Sequence, residues 1–186
     1  MKLTIPTILT LFRIVLIPVL VVVFYLPQHW TNFAATFVFA LGALTDWADG
    51  WIARRWNQFS AFGAFLDPVA DKLAVTVALL LIVELHHTHW MTLLAVVIIG
   101  REIAISALRE WMAEVGHGRK VKVAWLGKIK TIVQMLAICF LLYRQDLVGL
   151  PIFHIGEVML SLAAALTLVS GYGYLRAAWP SLRGDH

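Results

Sequence analysis

Six long apolar runs limit what this chain can fold into. They occupy roughly residues 7–27, 33–53, 69–87, 90–112, 124–143 and 153–175, each close to the about 20 residues that cross a bilayer as a helix. Over 186 residues the sequence is 61% hydrophobic and 14% charged, with a mean hydropathy of +0.82. That is too apolar for a soluble domain. The expected fold class is therefore all-α: a polytopic membrane protein with six transmembrane helices, forming one domain over residues 1–186. No internal repeat, low-complexity tract or linker interrupts the pattern.

The connections between runs are of two chemical kinds. PQHWTN, HHTH and RQDLVGLP hold a single Arg among them, whereas RRWNQFSAF and EVGHGRKVKVAWLGKIK are rich in Lys and Arg. By the positive-inside rule the basic kind, with both termini, lies in the cytoplasm, so the chain is expected N-in and C-in. The net charge of +4 then reflects loops against an anionic leaflet and not a nucleic-acid surface. The apolar run after Lys2 resembles a secretory signal, but Arg13 interrupts it and no small-x-small cleavage site follows, so it is expected to stay as the first span. Trp30, Trp90, Trp111, Trp125 and Trp179 fall near span ends, as interfacial anchors do. The single cysteine, Cys139, excludes an intramolecular disulfide and reads as a small packing residue.

Against this background DWADGWIARRWNQFSAFGAFLDPVAD, residues 46–71, stands out, because a bare carboxylate in a membrane span is costly. On a helix Asp46, Asp49, Gly50 and Ala53 share one face, a ligand-sized notch of two acids and two small residues. Gly63, Asp67 and Asp71 stand at i, i+4 and i+8, again on roughly one face. Asp46 is eight residues from Arg54, roughly 12 Å along a helix, so the acids are expected just below the headgroups. Pro68 either begins the third helix, making Asp67 its N-cap, or kinks it.

Four carboxylates held together repel unless cations neutralise them. Oxygen-only ligands without nearby His or Cys favour Mg²⁺ or Mn²⁺ over zinc, and four acids can hold two ions about 3.5–4 Å apart in a clamp for phosphoryl chemistry. The plainer alternative is structural ion pairing, Asp71 with Lys72 or Asp49 with Arg54. The plainer reading suits one acid at a helix end better than four acids on two faces.

The pattern D-x-x-D-G-x-x-A-R-x(8)-G-x-x-x-D-x-x-x-D resembles the signature of the CDP-alcohol phosphatidyltransferase family at every position: Asp46, Asp49, Gly50, Ala53, Arg54, Gly63, Asp67 and Asp71. Six spans over the whole chain also look like the family core. The resemblance implies attack of an alcohol on the lipid-side phosphate of a CDP-linked lipid, with release of CMP. It implies Asp46, Asp49, Asp67 and Asp71 as ligands of two Mg²⁺ or Mn²⁺ ions, and Asp71 also as the base toward the acceptor hydroxyl. Gly50, Ala53 and Gly63 are implied to leave room for the cytidine and diphosphate, and Arg54 to hold phosphate or orient an acid.

The acceptor is sought elsewhere in the chain. Arg101 and Arg109 in IGREIAISALREW are eight residues apart and about 80° apart around a helix, near enough to serve one phosphate pocket. Pairing with Glu102, Glu110 or Glu84 is the plainer reading. Lys128 and Lys130 in WLGKIKT point to nearly opposite sides, so at most one faces a pocket on a regular helix. Thr10 and Arg13 are further candidates for touching substrate, with Arg13 reaching to headgroups as the plainer reading. With IPTILTLFRIVLIPVL at the entry, these stretches are similar to the bacterial branch of the family that takes CDP-diacylglycerol and glycerol 3-phosphate as substrates, within the cytoplasmic (inner) membrane and with its site facing the cytoplasm. That branch implies a homodimer in membrane lipid. Rival readings are another acceptor alcohol, or a cation transporter using the acids as its ion site. HHTH, with His86, His87 and His89, lies on the side opposite the acids and is given no role. Ser170, Gly171 and Gly173 suggest close helix packing or an association face.

Overall fold

The computed structural model describes residues 4–56, 60–114, 125–147 and 149–182, and among these the chain forms six α-helices. They are α1 (Ile5–Tyr25), α2 (Thr31–Trp56), α3 (Ala61–His86), α4 (His89–Glu114), α5 (Trp125–Tyr143) and α6 (Ile152–Leu182). The only extended pairing among the described residues is an isolated bridge between Leu147 and Leu150 in the α5–α6 connection. The six apolar runs of the sequence all reappear as helices.

The main departure is at α3, which starts at Ala61 and not near residue 69. Ser60 caps it, its hydroxyl accepting from the Gly63 N–H at 2.9 Å, a standard way to satisfy an orphan donor of the first turn. Pro68 therefore lies inside the helix, where it has no N–H for the carbonyl one turn back, and Asp67 is not the N-cap. The early start matters because it carries Gly63 and Asp67 on regular helix beside α1.

By length and composition Ile5–Tyr25, His89–Met112 and Ile152–Arg176 are long and apolar enough to cross a membrane, and Ile129–Tyr143 is a shorter apolar helix. The acid-bearing helices α2 and α3 have 26 residues each, about 39 Å at 1.5 Å per residue. That exceeds the about 30 Å hydrocarbon core, so their charged ends extend to headgroup level.

α1 packs on α2 and α3, α5 packs on α6 and α2, and α4 joins the bundle through α6 and α3. A shared core of Leu79, Ile82, Met91, Ile98, Ile138, Leu141 and Leu160 is fully buried. Large apolar side chains also point outward from the helices, among them Val15, Val22, Phe33, Leu80, Val96 and Val158. An apolar exterior over an apolar core is what a lipid solvent requires. Trp30, Trp90, Trp111 and Trp179 sit exposed near helix ends, and the Trp125 side chain lies outside the described residues.

Because successive helices alternate in direction, the beginnings of α1, α3 and α5 meet the ends of α2, α4 and α6. Side-chain contacts fix this end of the bundle: α1 to α2 through Arg13–Asp49, α1 to α3 through Thr10–Asp67, α4 to α5 through Glu102–Lys130, and α4 to α6 through Arg101–Thr167. At the opposite end Tyr25 donates to Glu84, Arg144 stacks over Phe24, and His86 lies 4.1 Å from the Phe153 ring.

Candidate functional site

Arg13 is the centre of the acid cluster. It emerges from α1 at 2% exposure, and its guanidinium bridges two carboxylates of α2: NH1 lies 2.7 Å from Asp46 Oδ1, and NH2 donates to Asp49 Oδ2. A guanidinium in an apolar span requires anions, and these two acids, one helical turn apart, supply them, although its NH1 and Nε find no aligned acceptor. Arg13 turns inward, away from its plainer reading, whereas Asp49 is ion-paired as its plainer reading had it, with Arg13 as the partner seen. Arg54 and Ala53 belong to α2, but their side chains lie outside the described residues.

One turn earlier on α1, Thr10 is fully buried, its hydroxyl 3.0 Å from the Pro6 carbonyl and in contact with the Asp67 carboxylate. A hydroxyl has one hydrogen to give, so the Asp67 contact competes with the helix-internal one. A further turn back Thr7 meets Ser60 at 2.7 Å. Thr10 and Arg13, expected to contact phosphate, are directed onto carboxylates because α1 lies against both acid helices.

Gly63 also differs from its expected role. A Cβ there would stand 2.9 Å from Ser60 Oγ and 3.0 Å from Thr7 Oγ1. The missing side chain lets the α3 cap and α1 come together; that space is already filled by protein. Gly50 sits partly buried on α2, one residue beyond Asp49.

Asp71 faces the other way, into a small cavity with Lys72, Glu102, Lys130 and Gln134. It still feels the charges of Asp46 and Arg13, as Asp49 feels those of Asp46 and Asp67. The four acids therefore form one electrostatic unit. Asp71 does not pair with Lys72, whose ammonium instead donates to Ser106 on α4. Among the described residues neither Asp67 nor Asp71 forms an ion pair, and Arg13 is the cation seen paired with Asp46 and Asp49. Among the described residues no three acid, His or Cys side chains come together closely enough to hold a metal ion. The acids offer oxygen donors alone, the type a hard divalent ion takes, but only Asp46 and Asp49 are gathered on one cation, Arg13.

The basic residues divide. Lys130, 5% exposed, places its Nζ 3.2 Å from Glu102 Oε2. Arg101 approaches the same carboxylate at 3.5 Å and donates to Thr167 Oγ1 at 3.1 Å. Gly171 makes room for Arg101, since a Cβ there would meet its Cγ at 3.2 Å; Gly173 has open space around it. Arg109 is exposed on α4 within the field of Arg101, and the Lys128 side chain lies outside the described residues. Of the two lysines, Lys130 is the one seen to face the cavity. Glu102 was read from sequence only as a pairing partner; it proves to hold both cations. Gln134 was missed altogether, although it lies one turn beyond Lys130 and on the same face.

A six-helix bundle that carries four aspartates, with Arg13, Arg101 and Lys130 paired to acids inside it, defines a polytopic integral membrane protein. A profile of the CDP-alcohol phosphatidyltransferase family matches residues 3–169, and the chain belongs to that family. It is 53% identical over 178 residues to the CDP-diacylglycerol–glycerol-3-phosphate 3-phosphatidyltransferase of Escherichia coli strain K12, covering 96% of both chains. The same identity and coverage relate it to the proteins of that name from Shigella flexneri serotype 5b and Shigella boydii serotype 4.

Proposed function

We propose that this protein transfers the phosphatidyl group of CDP-diacylglycerol to glycerol 3-phosphate, giving phosphatidylglycerophosphate and CMP. The observation that carries the reading is a near full-length, 53% identity to transferases of that name. The juxtaposition of an acid cluster with the Arg101–Lys130 cations supports it.

In this reading the acceptor hydroxyl oxygen bonds to the lipid-side phosphorus, the bond from that phosphorus to the CMP oxygen breaks, and the hydroxyl proton passes to the Asp71 carboxylate. Asp71 suits that task because no cation pairs with it in the described structure and it opens on the cavity that Lys130 lines. Lys130 and Arg101, both paired with Glu102, supply the positive charge for the acceptor phosphate. Asp46, Asp49, Asp67 and Asp71 would hold Mg²⁺ or Mn²⁺, which when bound would neutralise the diphosphate and its developing charge. Arg13 and Thr10 position these carboxylates, and Arg54 is assigned to the CDP-lipid phosphates. The site faces the cytoplasm of a bacterial inner membrane, where the basic connections lie, and the acyl chains stay in lipid while the diphosphate meets the interface. The assembly is a homodimer.

The test is CMP release by purified protein in detergent with CDP-diacylglycerol and Mg²⁺. Release that requires glycerol 3-phosphate and stops with a chelator supports donor, acceptor and metal together. Release with another alcohol but not with glycerol 3-phosphate would assign a different acceptor and retain the acid chemistry.

A further inference from the structure

The Gln134 side chain is 3% exposed, and its amide Oε1 is buried without a hydrogen-bond partner. Buried amides are as a rule satisfied, so an orphan one aimed into a cavity asks what group completes it. Its cavity is the one shared by Asp71, Lys130 and Glu102, of about 30 Å³, which admits a water-sized group. The amide oxygen and nitrogen exchange places by a simple flip, so the position suits a group that both donates and accepts. An alcohol hydroxyl is such a group.

We infer that Gln134 is a specificity residue that binds the non-reacting hydroxyl of the acceptor alcohol. The inference rests on the transfer reading above and deepens it. A phosphorylated diol presents three polar groups; the cavity, lined also by Glu102 and Lys72, has room for one hydroxyl, and Lys130 and Asp71 border it. Lys130 is a cation for the phosphate, and Asp71 is a carboxylate for the hydroxyl that attacks. Gln134, one turn along α5 from Lys130, is the neutral amide left for the second hydroxyl. A site that hydrogen-bonds a substrate hydroxyl discriminates against the analogue lacking it, because the buried group is then left unpaired.

The experiment compares glycerol 3-phosphate with 3-hydroxypropyl phosphate, which lacks only the central hydroxyl, as acceptors for CDP-diacylglycerol with Mg²⁺ in detergent. The wild-type protein is expected to favour glycerol 3-phosphate by about tenfold or more in kcat/KM. Gln134→Met, near in size and apolar, is expected to erase that preference by lowering only the glycerol 3-phosphate value, with an unfolding midpoint equal to or above that of the wild type. A purely structural glutamine would shift both acceptors alike. A folded Gln134→Met protein that keeps the preference overturns the inference and points to a buried water as the partner. Equal use of the two phosphates by the wild-type protein overturns it without any variant. If glycerol 3-phosphate releases no CMP from the wild-type protein, the transfer reading falls and this inference with it.

Discussion

Replacing Arg13 with methionine tests whether the acid cluster depends on the cation paired with it among the described residues. The change keeps a long apolar stem and removes only the fork. Its cost divides between two partners of different exposure. The side chains of Arg13 and Asp49 are 2% and 6% exposed, so this pair is out of solvent and removing one member leaves a buried charge; such losses run to about 3–5 kcal/mol. Asp46 is 47% exposed, and solvent screening limits its share to about 1 kcal/mol or less. Arg13→Met is therefore expected to unfold about 4 kcal/mol more easily in detergent with chelator present, read from denaturant or thermal unfolding. Adding Asp49→Asn to the same protein should recover most of the loss, because the buried charge is gone and the two sites share one contact. Millimolar Mg²⁺ should shrink the single-variant loss, since a ligand that binds only the folded acids stabilises them. Wild-type stability of Arg13→Met in chelator, or a double variant no better than the single one, would refute the reasoning.

Asp67→Asn and Asp71→Asn should each lower CMP release by about 10²–10⁴-fold while the protein elutes and unfolds as the wild type does; normal turnover in either removes that residue from the chemistry. Gly63→Ala should cost about 1–3 kcal/mol, because its Cβ would lie 2.9 Å from Ser60 Oγ and 3.0 Å from Thr7 Oγ1; an unchanged unfolding midpoint would show that the α1–α3 contact yields freely. Gly156→Ala should cost a similar amount, its Cβ meeting Leu141 Cγ at 3.0 Å. Lying at the end away from the acids, it should leave the KM of both substrates unchanged, and a changed KM would argue against that separation.

The helices were legible because lipid makes length and apolarity the controlling variables, and a run of about 20 residues has one way to satisfy its backbone. The start of α3 was less so. AFGAFLDP reads as a loop ending in proline, and only the Ser60 cap with Thr7 of α1 behind it shows that the helix begins about two turns earlier. The acids draw attention for a similar reason: carboxylates are costly in a span, so Asp46, Asp49, Asp67 and Asp71 stand out by type and spacing alone.

Their partners were not legible. Arg13 and Asp49 are 36 residues apart and Thr10 and Asp67 are 57 apart, and nothing local distinguishes a guanidinium reaching to headgroups from one folded back on an acid. Gly63 shows the same limit: its place in a motif suggests space for a ligand, whereas its neighbours show space taken by Ser60 and Thr7. Glu102 and Gln134 carry no motif that marks them, and their roles appear only when α3, α4 and α5 close one cavity. The sequence by itself determined the solvent, the helices, the acids and the family, because each is a matter of residue type at a set spacing. Tertiary structure alone decided which cation neutralises which carboxylate and which amide is left without a partner, because in a low-dielectric interior those outcomes depend on contact distances between helices far apart along the chain.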